Sequence, residues 1–332
     1  MIIRLAPLGA AYLTIAACVS FPAAPPARVP PTISGAAAIS VDGASLGLSK
    51  WQAAAPHAIL LAVHGMNDYA GAFALAGPYW AERGVSVYAY DQRGFGRSPE
   101  PGRWPGGDAL KQDLRAVIAA VRAEHPGMPL FALGHSMGAG VILAAMKEAP
   151  LDADGVILAS PGIWGGASMP IFYRATLALA AAFAPGKTLT GERAGRQASD
   201  NIDFLRAMYR DPNVLKETRI DAVLGAVRIM GDGWDASDET GGNILFLYGD
   251  KDEIIPVRKM KKAARRLCGD IRVVSFADSW HLIFADLGRE QPMAEVAGWI
   301  AEQVRRPQIR TGDPEPAVSN CAGKSGHGGS AT

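Results

Sequence analysis

Gly134-His135-Ser136-Met137-Gly138 follows the apolar run Pro129-Leu130-Phe131-Ala132-Leu133 and precedes a small-residue apolar stretch of helical character. Few folds accommodate that order. A strand must end, the chain must turn within a few residues, and a helix must begin at once. G-x-S-x-G in this setting presents a serine hydroxyl at the top of a sheet. Side chains at Gly134 and Gly138 would collide with the neighbouring strand or helix, and the serine itself takes a strained backbone conformation. Ser136 is the candidate nucleophile, and His135, inside the turn, reads as packing.

Further apolar runs surround this one. Ala58-Ile59-Leu60-Leu61-Ala62-Val63, Val85-Ser86-Val87-Tyr88-Ala89-Tyr90, Gly155-Val156-Ile157-Leu158-Ala159-Ser160, Asn243-Ile244-Leu245-Phe246-Leu247-Tyr248 and Ile271-Arg272-Val273-Val274-Ser275-Phe276 each have the length and content of a buried strand. Leu110, Leu114, Val117, Ile118 and Val121 recur at helical spacing, with Asp108 placed to cap that helix. The alternation predicts a mostly parallel central sheet with helices on both faces. Residues 163–240 lack strand periodicity and are expected to form a mainly helical cap inserted between two parts of the core, 36–162 and 241–306. A chain of 332 residues with 49% hydrophobic content suits one such core plus a cap. A formal charge of +1, with no basic cluster interleaved with aromatics, argues against nucleic acid as a partner. No obligatory protein partner is evident.

A serine hydroxyl is a weak nucleophile at neutral pH and needs a base. In this architecture the order along the chain is serine, acid, histidine. Only His281 and His327 lie late enough, and His327 sits in the Gly/Ser-rich end where nothing would hold an imidazole still. His281 is the base by elimination. The acid is expected just after the preceding strand, where Gly249-Asp250-Lys251-Asp252-Glu253 offers three carboxylates. The strand at residues 58–63 runs into His64-Gly65-Met66-Asn67, the position of a loop that donates one oxyanion-hole N–H, the other coming from the residue after the nucleophile. The candidate donors are the backbone N–H groups of Met66 and Met137. Gly65 belongs to this loop, and His64 is expected to support it by hydrogen bonding. Such chemistry needs no metal or organic cofactor.

These features together resemble the monoacylglycerol lipase and lysophospholipase branch of the α/β-hydrolases, the serine aminopeptidase-like family. The resemblance spans residues 57–305. It includes Asp91-Gln92-Arg93-Gly94-Phe95-Gly96-Arg97-Ser98, similar to the family's D-x-R-G-x-G-x-S turn, in which Asp91 and Arg93 are expected to fix neighbouring loops. It also includes Glu124-His125-Pro126-Gly127-Met128-Pro129 before the serine turn and parts of the cap around residues 200–212. The family's G-x-x-D pattern implies Asp252 as the acid, with Asp250 as runner-up. Ala139 is a departure, since relatives often carry a further glycine there.

The N-terminus reads as a targeting segment: Arg4 precedes an apolar stretch at residues 5–17, too short to span a bilayer comfortably. Ile15-Ala16-Ala17-Cys18 resembles a bacterial lipobox, so residues 1–18 are expected to be a lipoprotein-type signal with Cys18 lipidated. That implies an exported protein of the bacterial cell envelope, anchored to a membrane by its lipid. Residues 19–35, rich in Pro and Ala, are expected to be an extended and mobile spacer. Residues 307–332 read as a flexible tail. An exported chain could oxidise Cys268 and Cys321, but the position of Cys321 in that tail argues against a structural disulfide.

The cap opens with apolar segments at residues 169–173 and 177–183, suited to an acyl chain or to lipid contact. With the resemblance and the anchor, they favour a single-chain lipid ester, a monoacylglycerol or lysophospholipid, as substrate. A general carboxylesterase is one alternative. An aminopeptidase holding a substrate ammonium with Glu192, Asp200 or Asp203 is another, and a non-catalytic lipid-binding lipoprotein is a third.

Overall fold

The computed structural model describes residues 19–190 and 195–306. Cys18, Glu192, Cys321 and His327, singled out in the sequence, fall outside them. The central sheet contains β1 (Thr32–Ser34), β2 (Ala37–Ile39), β3 (Ser45–Trp51), β4 (Ala58–Val63), β5 (Val85–Tyr90), β6 (Leu130–His135), β7 (Gly155–Ala159), β10 (Gly241–Gly249) and β11 (Cys268–Phe276). Their order is β1-β2-β3-β5-β4-β6-β7-β10-β11. The first three strands pair antiparallel and β3 joins β5 antiparallel, while β5 through β11 run parallel. Every residue of β4, β5, β6 and β7 is buried, as strands covered on both faces require. A small antiparallel pair, β8 (Thr188–Thr190) and β9 (Glu217–Arg219), lies apart from this sheet.

The helices are α1 (Ala76–Ala81), α2 (Gly107–Glu124), α3 (Met137–Glu148), α4 (Ile171–Phe183), α5 (Ile202–Arg210), α6 (Ile220–Ala236), α7 (Val257–Ala264) and α8 (Glu290–Arg305). One apolar core packs the sheet against α2, α3, α6 and α7, through Leu114, Val117, Ile142, Ile229 and Met260 among others. A second fills the opposite face beneath α1 and α8, where Trp80 and Trp299 are fully or almost fully buried. The α/β-hydrolase fold expected from the motifs is thus the fold observed.

Four expectations change. Asp108 does not cap α2. It sits in the first turn, and Gly106 takes the cap position at φ 96°, where a Cβ would stand 2.3 Å from the Pro22 carbonyl oxygen. The expected cap was too long: α6 lies on α3 as part of the core layer. The two helices approach closely because Gly140 and Gly233 face each other, a Cβ on Gly233 reaching 3.0 Å from the Gly140 carbonyl oxygen.

The Pro/Ala-rich stretch is extended but not detached. Val19 and Phe21 pack against Leu177, Ala180, Ala181, Ile220 and Leu224. The Phe21 ring lies edge-on to Trp104 at 6.2 Å and under the Arg228 guanidinium at 5.0 Å. Arg228 Nη1 donates to the Val19 carbonyl at 2.7 Å, and Gln112 Nε2 donates to the Pro25 carbonyl at 3.0 Å. A stacked cation contributes roughly 0.5–1 kcal/mol beyond the apolar burial. Finally, Cys268 is disulfide-bonded.

Candidate active site

The chain runs from β4 outward to β5 and then back across to β6, so β4 and β6 mark the point where the winding reverses. Ligand sites of open α/β sheets lie beyond the carboxyl ends of strands at such a point. His64-Gly65-Met66 follows β4, and Ser136 follows β6.

Ser136 sits at φ 51° and ψ −120°, a conformation that side chains rarely adopt, and immediately precedes α3. The turn leaves no room for side chains on its flanks. A Cβ on Gly134 would lie 2.5 Å from the Ala139 backbone nitrogen, and one on Gly138 would lie 2.3 Å from the Val63 carbonyl oxygen. Ala139 itself is fully buried without disturbing the turn.

Three segments converge on the serine. Ser136 Oγ is 2.9 Å from His281 Nε2, and His281 Nδ1 is 2.7 Å from Asp252 Oδ2. The other Asp252 oxygen accepts the N–H groups of Ile254 at 2.8 Å and Ile255 at 2.9 Å. The loop after β10 thus curls around the carboxylate and aims it at the imidazole. Asp250 points elsewhere, to Lys261 Nζ at 3.3 Å, and Glu253 accepts the Gln197 N–H at 2.8 Å. Of the three carboxylates open in the sequence, geometry brings only Asp252 to His281.

The histidines of the two turns also have work. Burial lowers the pKa of His64 to about 4, against the opposing pull of the Gly65 carbonyl, and so holds the ring neutral. Its Nδ1–H donates to Gly65 O at 2.7 Å and its Nε2 accepts the Gln92 N–H at 2.8 Å, which locks the loop after β4 to the turn after β5. His135 is more than packing: its Nε2–H donates to the His281 carbonyl at 3.0 Å. Burial first, and then the neighbouring His281, push its pKa down to about 3. Asp91 accepts the Ala70 and Arg97 N–H groups and pairs with Arg97, whereas Arg93 bridges Asp42 and Asp113. Both fix loops, as expected, but through different partners.

Among the described residues, neither the Met66 nor the Met137 N–H donates to a protein acceptor. Gly162 helps to keep that space clear: its N–H donates to Ser136 O at 2.7 Å, and a Cβ there would crowd Met137 N at 2.9 Å. A nucleophile, a base, an acid and two unspent donors around one cleft form a set suited to acyl transfer.

The profile of the family described as serine aminopeptidase, S33 matches residues 54–288. The chain belongs to that family. The S33 chain is similar to a monoacylglycerol lipase of Mycolicibacterium smegmatis, 24% identical over 75% of this chain and 90% of the relative. It is also similar to rat monoglyceride lipase, 30% identical over 37% of this chain and 41% of that one. Among solved structures, the monoacylglycerol lipase of Paleococcus ferrophilus superposes with a TM-score of 0.66 at 22% identity, covering 78% of this chain and 99% of that one. Family membership and site agree on a serine ester hydrolase.

Within the S33 frame, two of the three carboxylates considered for a substrate ammonium, Asp200 and Asp203, are otherwise engaged. Asp200 accepts the Leu287 N–H at 2.8 Å, and Asp203 is an exposed partner of Arg206. Sequence reasoning missed several site neighbours. Asn67 has φ 65°, accepts the Leu215 N–H through its carbonyl at 2.9 Å and reaches Thr218 Oγ1 at 2.6 Å with its side chain. Gly162, Ser199 and Asp286 were missed as well. Their partners lie far away in the chain, so no local pattern marks them.

Proposed function

We propose that this protein is a membrane-tethered hydrolase that cleaves the carboxylic esters of single-chain lipids, monoacylglycerols or lysophospholipids, through an acyl-enzyme on Ser136. The continuous hydrogen-bonded line Ser136–His281–Asp252 carries the reading. As Ser136 Oγ attacks the ester carbonyl, His281 Nε2 takes its proton. Asp252 holds the tautomer that makes this possible and stabilises the imidazolium that forms. The carbonyl oxygen becomes an anion facing the Met66 and Met137 N–H groups, each worth roughly a hundredfold or more in rate. His281 returns the proton to the leaving alcohol, then takes one from water, and the resulting hydroxide releases the fatty acid and restores Ser136.

The cap supports a lipid substrate. α4 carries no acidic residue, and Phe172 and Phe183 are 72% and 73% exposed, with Ile171, Tyr173 and Leu179 also exposed. Exposed apolar surface of this kind marks a contact with protein or membrane. The strap favours the membrane. Val19 is held at the foot of α4, so an acyl anchor on the adjacent Cys18 would enter the bilayer beside that helix. Anchor and helix would then present the cap to the lipid surface from which the substrate comes.

Hydrolysis of a monoacylglycerol, a lysophospholipid, a short-chain ester and an aminoacyl amide by the wild-type chain and by Ser136→Ala tests the chemistry. Ester turnover abolished by the substitution is expected, and turnover that survives it refutes the role of Ser136. Incorporation of labelled palmitate into the wild type but not into Cys18→Ser is expected for the anchor, and an unlabelled wild type refutes it.

A further inference from the structure

His281 follows β11 in a loop with no regular structure, yet a general base must be held to within a fraction of an ångström. What holds it comes from the cap. Asp286 is buried to 1% exposure, and both of its oxygens are committed. Oδ2 accepts the N–H of Trp280, the residue before the base, at 2.7 Å. Oδ1 accepts the hydroxyl of Ser199 at 2.6 Å, and Ser199 is itself fully buried within the cap segment between β8 and α5. On the other side of the base, the Leu282 N–H donates to the Ala198 carbonyl at 2.9 Å. Asn201 closes the clamp, its backbone N–H donating to Ser199 Oγ at 3.1 Å and its side-chain amide to the Ala285 carbonyl at 2.8 Å. The 279–280 and 281–282 peptide units, on either side of the Trp280–His281 pair, are therefore fixed, one through Asp286 and one directly, by residues 198–201 of the cap.

We propose that Asp286, with Ser199 as its cap-side partner, is a positioning residue for His281, so that the cap sets the geometry of the base as well as covering the cleft. This rests on His281 being the base. Asp286 takes no part in the proton transfers described above; its effect on the base passes through the backbone of Trp280. Misplacing a reacting group by about 1 Å costs on the order of a hundredfold in rate. A group that only positions the base should alter turnover and leave substrate affinity intact.

The test measures kcat, KM and the rate of fluorophosphonate labelling of Ser136 in the full chain. Asp286→Ala should lower kcat and labelling together, by about 10- to 100-fold, with KM within about twofold. Asp286→Asn should recover most of the loss, because its amide oxygen accepts the Trp280 N–H while its nitrogen donates to Ser199 Oγ. Ser199→Ala should show a smaller loss of the same kind. A folded Asp286→Ala with unchanged kcat, a loss confined to KM, or Asp286→Asn as impaired as Asp286→Ala would overturn the proposal. If Asp286→Ala does not accumulate, Ser199→Ala decides, and unchanged kcat there overturns it. His281→Ala keeps the two readings apart: wild-type turnover in that variant removes the base assignment and this inference with it, whereas lost turnover there beside unchanged kcat in the Asp286 and Ser199 variants removes only the inference.

Discussion

Replacing Asp252 by asparagine preserves shape and removes one charge, and the structure dictates how the new amide must lie. The N–H groups of Ile254 and Ile255 point at Oδ1 from 2.8 and 2.9 Å. An amide nitrogen placed there would oppose two donors, each left unsatisfied at a cost of roughly 1–3 kcal/mol. The asparagine oxygen therefore keeps that position, and its NH2 group faces His281 Nδ1. The imidazole must then accept at Nδ1 and carry its proton on Nε2, where it confronts the Ser136 hydroxyl as a donor and can no longer act as base. Loss of the correct tautomer in a triad lowers kcat by about 10⁴, equivalent to about 5.4 kcal/mol of barrier. Asp250→Asn breaks only a half-exposed pair with Lys261 and should change kcat by less than about twofold. Steady-state hydrolysis of a chromogenic ester, with thermal midpoints to confirm folding, compares the two. A folded Asp252→Asn within tenfold of wild type, or an Asp250→Asn that falls as far, would refute this account.

Three further outcomes are expected. Gly138→Ala pushes a methyl to within 2.3 Å of the Val63 carbonyl oxygen and should destabilise the fold by roughly 2–3 kcal/mol, read as a lowered urea midpoint; an unchanged midpoint would contradict the crowding. His64 is buried with its pKa lowered to about 4, so the unfolded chain binds the extra proton below about 6.5 and the fold loses stability as pH falls from there towards 4. His64→Gln removes that titration, and its stability relative to wild type should improve by on the order of 3 kcal/mol between pH 7 and pH 4, whereas a pH-independent difference would rule out the buried neutral imidazole. A chain beginning at residue 31 lacks the docked strap and should unfold at a lower temperature than one beginning at residue 19, by differential scanning calorimetry; equal midpoints would mean that the strap contributes nothing.

The sheet was legible because its inner strands are buried on both faces, so that β4 to β7 appear in the sequence as unbroken apolar runs. The serine turn was legible through the steric demands on Gly134 and Gly138, and His281 through the scarcity of late histidines. The choice among Asp250, Asp252 and Glu253 depended on the family pattern, since the curl that delivers Ile254 and Ile255 to one carboxylate leaves no mark in the residue types. The strap was misread because Pro and Ala composition describes an unfolded spacer equally well. Only Phe21 hinted otherwise, and its partners Trp104 and Arg228 are distant in the chain. α6 was assigned to the cap because an amphipathic helix does not reveal which neighbour it faces, and Gly140, which with Gly233 admits it to α3, lies on a different element. The clamp from Asp286 to Ser199 spans 87 positions and joins two loops, beyond the reach of any periodicity.

The winding of the sheet also imposes an order on biosynthesis. Ser136 leaves the ribosome with the first half of the core, but its base follows 145 positions later, after the cap and on the far side of β10 and β11. A nascent or prematurely terminated chain carries the nucleophile with nothing to activate it. A serine ester hydrolase built in this order is inactive while it is being made, and is armed only when the last strands close the sheet.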